Sequence, residues 1–111
     1  ARRVAQAGAE LIATISANFE PFAIDHAIPT LSRAMENRLP HLYANMVGSS
    51  DGFDFVGGSR SMSPLGEVLY EAPADAEDVA VVPVADRTGV DDRADYLPLL
   101  RELPAVRDAS R

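Results

Sequence analysis

The apolar positions of this chain change period along its length, and the changes mark its elements. Over residues 2–10, Val4, Ala5 and Gly8 or Ala9 fall on one side of a helical wheel. Arg2, Arg3, Gln6 and Glu10 fall on the other, which predicts a short helix. Residues 11–15 (LIATI) are branched and apolar at successive positions, the pattern of a buried strand. The loop SANFEPF comes next, stopped by Pro21. Helical spacing returns over residues 25–38, with Ile24, Ile28, Leu31, Ala34 or Met35, and Leu39 as the apolar stripe. Proline is tolerated in a first turn, so Pro29 places the start of regular helix near Ala27, and Pro40 ends it.

Residues 41–47 predict a further strand. A strand–helix–strand order implies two parallel neighbours joined by a right-handed crossover. GSSDG reads as a loop. Residues 53–63 and 67–72 predict two antiparallel strands around SPLG, where Pro64 presets the turn and Gly66 completes it. After the acidic loop PADAED, residues 79–85 (VAVVPVA) predict another strand, with Pro83 marking an edge or a bulge. The rest is charged and broken by Pro98 and Pro104, an arm with a short helical stretch. The chain therefore divides into residues 1–85, part of one domain, and an arm over 86–111.

Composition narrows the classes. The 111 residues are 47% hydrophobic, which suits a packed core and not a disordered tail. A net charge of −7 lacks the electrostatic footprint of a nucleic-acid binder. No apolar run approaches the roughly 20 residues of a membrane span, so a cytoplasmic location is expected. There is no Cys, and all ten basic residues are Arg, so there is no Lys. Starting at Ala1 in what reads as mid-helix, the sequence is expected to be a segment of something longer.

Chemistry-bearing residues offer little by spacing alone. His26 and His41 lie on different elements without a carboxylate pattern, so neither metal nor cofactor is expected. VGGSR sits within a hairpin and not at a strand-to-helix turn, so Gly57 and Gly58 are read as a bulge or a close backbone approach. Asp91, Asp92 and Asp95 read as a solvated acidic face. Ser16, Ser59 and Ser61 have no triad arrangement around them. A structural role fits other residues better. Arg33, Glu36 and Asn37 are helix-surface neighbours, and Asn45 places an amide on a strand face between Tyr43 and Val47. A surface ion pair is the plain alternative; a buried hydrogen-bonded framework is the reading adopted, because a buried amide must find partners.

In order and spacing, GAELI, RAMEN, YANMVG, FVGGSRSMSPLG and EVLYEA resemble the C-terminal half of the carbon–nitrogen hydrolase (nitrilase-like amidase) family. The matching residues are Gly8, Ala9, Arg33, Glu36, Asn37, Ala44, Asn45, Gly48, Phe55, Gly57, Ser59, Pro64 and Gly66. The resemblance implies an α/β chain, about half of a four-layer α-β-β-α sandwich, with one mixed sheet and two helices on one face. It also implies a Glu, Lys and Cys catalytic set, in which Cys attacks the C–N carbon, Glu moves protons and Lys stabilises the charged intermediate. No residue here can inherit the Cys or Lys roles, so the nucleophile is expected upstream of Ala1, in a missing N-terminal half.

Arg33, Glu36, Asn37, Asn45, Gly57 and Ser59 then form a framework, with the RAMEN helix taking part in homo-oligomer association. Asn18, Phe19, Glu20 and Phe22 become the candidates for touching a small amide or nitrile substrate. Alone, the chain is expected to be inactive. The competing expectation is a catalytically inert α/β interaction module that kept the framework and binds a partner through its sheet.

Overall fold

A computed structural model describes residues 1–84. The expected arm, residue 85 and the Asp91, Asp92 and Asp95 group lie outside the described residues. The elements are α1 (Arg2–Gln6), β1 (Ile12–Ser16), α2 (Ala23–Asn37), β2 (His41–Asn45), β3 (Val47–Ser50), β4 (Phe53–Val56), β5 (Arg60–Met62) and β6 (Val68–Glu71). β1, β2, β5 and β6 form a mixed sheet in that order. β1 and β2 run parallel, as the crossover through α2 requires, and the other pairings are antiparallel.

The helix ends are set by local hydrogen bonding. α1 stops four residues earlier than periodicity predicts. Gly8, at φ 100°, lets its N–H reach the Ala5 carbonyl while Ala9 N–H reaches Val4, a six-to-one closure open to glycine. α2 closes the same way through Arg38, at φ 51°, with Leu39 N–H on the Ala34 carbonyl before Pro40. Its start differs from expectation. The turn in which Phe22 N–H meets the Phe19 carbonyl launches the helix at Ala23, so Pro29 lies inside it. The proline withholds a donor from the Asp25 carbonyl, and Asp25 is exposed, where water can serve that carbonyl instead.

Three other expectations need correction. The strand expected over 41–47 breaks at Met46, where the chain leaves the sheet, and GSSDG is no simple loop. Val47–Ser50 and Phe53–Val56 form a separate two-stranded hairpin. Its turn residues Asp51 and Gly52 both have positive φ, 52° and 82°, the demand of a tight hairpin turn. The strand expected over 53–63 is likewise two strands, divided where Gly57 and Gly58 take positive φ. Residues 79–84 form no strand, and Val79 and Val81 are fully exposed.

Both helices lie on one face of the sheet. Ala5 of α1 packs with Ile12 and Leu39, and Ala34 and Leu31 of α2 pack with Tyr43 and Met62. Strand alternation and register place Ile12, Thr14, His41, Tyr43, Arg60 and Met62 on that covered face. The opposite face carries Ala13, Ile15 and Ala44, and Ile15 is 90% exposed. The apolar stripe read on α2 divides, with Leu31 and Ala34 toward the sheet, Leu39 buried just past the helix, and the rest outward. Ile24, Ile28 and Met35 are exposed, while Thr30, Ala34 and Asn37 are the buried side.

Polar groups cross that buried side in a chain. His41, fully buried, bonds Thr14 Oγ1 through Nε2 at 2.9 Å and the Thr30 carbonyl through Nδ1 at 2.8 Å. Thr30 Oγ1 donates to the His26 carbonyl at 2.8 Å and accepts from Arg60 Nη2 at 2.8 Å, and Arg60 also reaches the Ala27 carbonyl. Strands β1, β2 and β5 are thereby tied to α2 by hydrogen bonds where a larger core would use side-chain volume.

The one-sided sheet makes a direct prediction. Leu39→Ala removes a fully buried side chain and should cost about 2–5 kcal/mol. Ile15→Thr should stay within about 0.5 kcal/mol, as exposed substitutions do, while reducing self-association in light scattering. Equal shifts of the denaturant midpoint in the two variants would contradict the arrangement.

Candidate functional site

The parallel strands β1 and β2 end side by side at Ser16 and Asn45. Carboxyl ends of parallel strands are where open α/β sheets place their sites, because loops leave there and helices begin. The loop leaving β1 holds Asn18, Phe19, Glu20 and Phe22, and Asn45 fastens it. Asn18 N–H donates to Asn45 Oδ1 at 2.7 Å. Asn45 Nδ2 donates to the Asn18 carbonyl at 3.2 Å and to the Gly57 carbonyl at 3.0 Å. Both amide hydrogens and the amide oxygen are thus engaged, the condition for keeping such a group away from water.

The fastening extends on both sides. Asn18 Nδ2 reaches Ser16 Oγ and the Tyr43 hydroxyl, so the side chain of the held residue grips the two strands that end there. Ser59 Oγ accepts from Asn45 N–H at 2.9 Å, and Gly57 N–H donates to the Met46 carbonyl at 2.9 Å. Gly57 has no alternative residue: a Cβ there would lie 2.5 Å from the Ala74 carbonyl oxygen. The two-glycine segment is therefore a close backbone approach, one of the two uses expected for it.

Phe19 carries the loop onto the hairpin. It pairs with Phe55 as an isolated bridge, and Val56 N–H bonds the Asn18 carbonyl at 3.0 Å. Its ring meets Phe22 edge-on at 5.6 Å and Phe53 at 4.5 Å, spacings typical of attractive aromatic pairs. Glu20 is exposed, held by its backbone N–H on the Asp54 carbonyl. Phe22 is exposed at the start of α2, leaving Phe22 and Phe53 as an aromatic surface beside the loop. A cleft of about 410 Å³, lined by Asn45, Met46, Ser59, Glu77 and Asp78 among others, opens on the other side of the fastening.

The framework expected around RAMEN is only partly assembled. Arg33 and Glu36 are exposed on α2 and do not belong to a buried network. Asn37 is buried, but its Nδ2 turns back onto the Arg33 carbonyl at 2.7 Å, and its Oδ1 has no partner among the described residues. The spacing identifies neighbours correctly, yet the helix turns Asn37 toward the interior and its two charged neighbours toward water. Sequence reasoning misses Ser16 and Tyr43 as members. Their signal is strand alternation, since Thr14 and Ser16 share a face with Tyr43 and Asn45 across the parallel register.

No nucleophile–base pair emerges among these residues. Ser59 Oγ is committed to the Asn45 backbone, and the His41 ring to Thr14 and Thr30. Among the described residues no three His, Cys, Asp or Glu side chains gather as metal ligands. The arrangement positions a loop and supplies surfaces; it does not contain a reacting group.

Residues 1–91 match the family model described as carbon-nitrogen hydrolase. The chain belongs to the carbon-nitrogen hydrolase family. It is similar to an (R)-stereoselective amidase of a Pseudomonas species, 40% identical over 75 residues that cover 67% of this chain and 27% of the amidase. A nitrilase of Pyrococcus abyssi is 37% identical over 84 residues, 76% of this chain and 31% of the nitrilase. Among solved structures, an amidase from Nesterenkonia sp. AN1 superposes with a TM-score of 0.55 at 32% identity, over 67% of this chain and 29% of that one. A variant of that amidase with acrylamide added at its active-site cysteine superposes at 0.60, 28% identical over 87% of this chain and 35% of its own. The chain thus spans less than a third of the length of these two curated relatives.

Two substitutions separate the fastening from the exposed RAMEN residues. Asn45→Ala leaves Asn18 N–H and the Gly57 carbonyl short of a partner and should cost on the order of 1–3 kcal/mol. Glu36→Ala should stay within about 0.5 kcal/mol, as exposed changes do. Denaturant midpoints measured at one pH decide between this and an even distribution of stability.

Proposed function

We propose that these residues are the carboxy-terminal part of a cytoplasmic enzyme that hydrolyses non-peptide C–N bonds in small amides or nitriles. Residues 1–85 belong to its catalytic domain. The observation that carries the reading is the Asn45 fastening at the carboxyl ends of β1 and β2, which holds Asn18–Phe22 in one place in a chain whose relatives include amidases. The chemistry needs a cysteine nucleophile, and the 111 residues contain neither Cys nor Lys. Cys and Lys are therefore assigned to polypeptide preceding Ala1, and the family resemblance assigns the catalytic Glu there too.

On an amide, the cysteine sulfur adds to the carbonyl carbon and the tetrahedral intermediate expels the amine, which takes a proton from the glutamic acid. Water, giving a proton back to that carboxylate, then cleaves the thioester and releases the acid. Within this scheme Asn18 and the Phe19, Phe22 and Phe53 rings shape the wall facing substrate. The sheet face bearing Ile15 packs against a second sheet to complete a four-layer α-β-β-α sandwich. The exposed Ile24, Ile28 and Met35 stripe of α2 supports homo-oligomer formation.

The test compares the 111-residue chain with a chain extended upstream by the polypeptide of its parent protein, each assayed for ammonia release from a panel of simple amides and nitriles. The extended chain should turn over and the 111 residues should not. Turnover by the 111 residues that survives repurification would overturn the assignment. An extended chain that carries the cysteine yet releases no ammonia would favour the inert interaction module.

A further inference from the structure

We propose that the cleft between the first turns of α2 and strands β5 and β6 is a binding site for a small α-amino acid, held by both of its charges. The inference rests on the cleft's own side chains and stands apart from the proposed enzymatic role.

Register sets up the site. Tyr43, Arg60 and Glu71 lie opposite one another across β2, β5 and β6, so the three side chains share the covered face of the sheet. Opposite residues of unlike charge ordinarily attract across strands. Arg60 and Glu71 form no ion pair, because Arg60 is drawn to the helix instead. Its Nη2 donates to the Ala27 carbonyl and, at 2.8 Å, to Thr30 Oγ1. Its Nη1 and Nε have no partner among the described residues, nor do the Glu71 carboxylate and the His26 ring. Arg60, Glu71 and His26 all line one cavity of about 150 Å³.

The chemistry of that lining selects the ligand. One guanidinium and one carboxylate face a single small space, so a lone anion would meet Glu71 and a lone cation would meet Arg60. Such like-charge contacts exclude wrong partners. A zwitterion meets neither penalty. Its carboxylate accepts from Arg60 and its ammonium donates to Glu71, both charge-assisted hydrogen bonds, and the His26 ring adds a polar contact from the helix side. The two charges must be close together, since opposite residues on adjoining strands have Cβ atoms about 5 Å apart. An α-amino acid carries both groups on one carbon. A cavity of this volume is about the size that encloses benzene, and Ala27, Val56 and Ala74 give it apolar walls, so the side chain is short and aliphatic. Ala23, which follows the Asn18–Phe22 loop, lines the same cavity, as does Tyr43, whose hydroxyl holds Asn18. An occupant therefore adjoins both ends of that loop.

Titration of the 111-residue chain with alanine, followed by amide chemical shifts, tests the site. Saturable shifts should centre on Ala27, Gly58 and Ala74. Propionate is alanine without its ammonium, and ethylamine is alanine without its carboxylate. Each should bind about tenfold more weakly or worse, the effect of one hydrogen bond to a charged group. Glu71→Gln, a change at an exposed residue, should weaken alanine by a similar factor and leave propionate no weaker. Tryptophan, too large for the cavity, should leave these amides unmoved. Three results would each overturn the proposal: no saturable shift with alanine, propionate or ethylamine bound as tightly as alanine, or alanine bound equally by wild type and Glu71→Gln. Should Glu71→Gln fail to fold, the wild-type titrations with alanine, propionate and ethylamine carry the decision.

Discussion

One side-chain amide holds this structure's working end together. Asn45 behaves as an additional peptide group. Its oxygen accepts from Asn18 N–H while its nitrogen donates to the carbonyl of the same residue, closing a ring like that of paired strands. The second amide hydrogen goes to Gly57, twelve positions along the chain, so one residue of β2 joins the loop after β1 to the glycines after β4. Only an amide of this length serves. Aspartate would oppose a carboxylate oxygen to two carbonyls, and glutamine would push the pairing atoms out by a methylene.

That junction places elements that have little core of their own. The β3–β4 hairpin is held by Val56 on the Asn18 carbonyl and by the Phe19, Phe53 and Phe55 contacts. Isolated two-stranded hairpins are marginal in water, so this one depends on the loop as much as the loop depends on it. Gly57 transmits the constraint further, because its backbone approaches residue 74 more closely than any side chain would permit. Ala72 N–H on the Ser59 carbonyl fixes the same stretch from the other side.

Much of this is legible in the sequence. Hydrophobic period yields β1, α2 and β2, Pro64 and Gly66 yield the SPLG turn, and the need to satisfy an amide on a strand face yields the importance of Asn45, which is half-buried. The breaks at Met46 and at Gly57–Gly58 are not legible in the same way, because the chain is extended on both sides of each break. Period says that a segment is a strand and not which sheet receives it. Asp51-Gly52 and the paired glycines are the available signals. On α2 the period is right and the facing is right only in part. The wheel includes Leu31 and Ala34, which meet the sheet, but sequence alone supplies no sheet against which to orient it, and Thr30 and Asn37 join Ala34 on the buried side while Ile24, Ile28 and Met35 do not. Residues 79–84 show the same limit: branched side chains favour extension, but a strand needs a neighbour to pair with.

That division on α2 has an energetic meaning. The described residues bury a threonine, an asparagine and a histidine under the helix, while Ile24, Ile28 and Met35 on the helix and Ile15 on the sheet stand in water. Each large apolar side chain left exposed forgoes about 1.5–3 kcal/mol. Four of them rival the roughly 5–15 kcal/mol that separates folded from unfolded domains. A sequence under selection for these residues as an isolated unit would exchange the two sets, placing the apolar side chains beneath the helix and the polar ones outside. The polar hydrogen-bond chain beneath α2 and the apolar surfaces around it are instead consistent with a layer whose outer faces are covered. Covering both the Ile15 face and the α2 stripe needs two separate partners, one for the sheet and one for the helix. That supports a second sheet and a second copy of the chain as the two contacts the proposed enzyme would make.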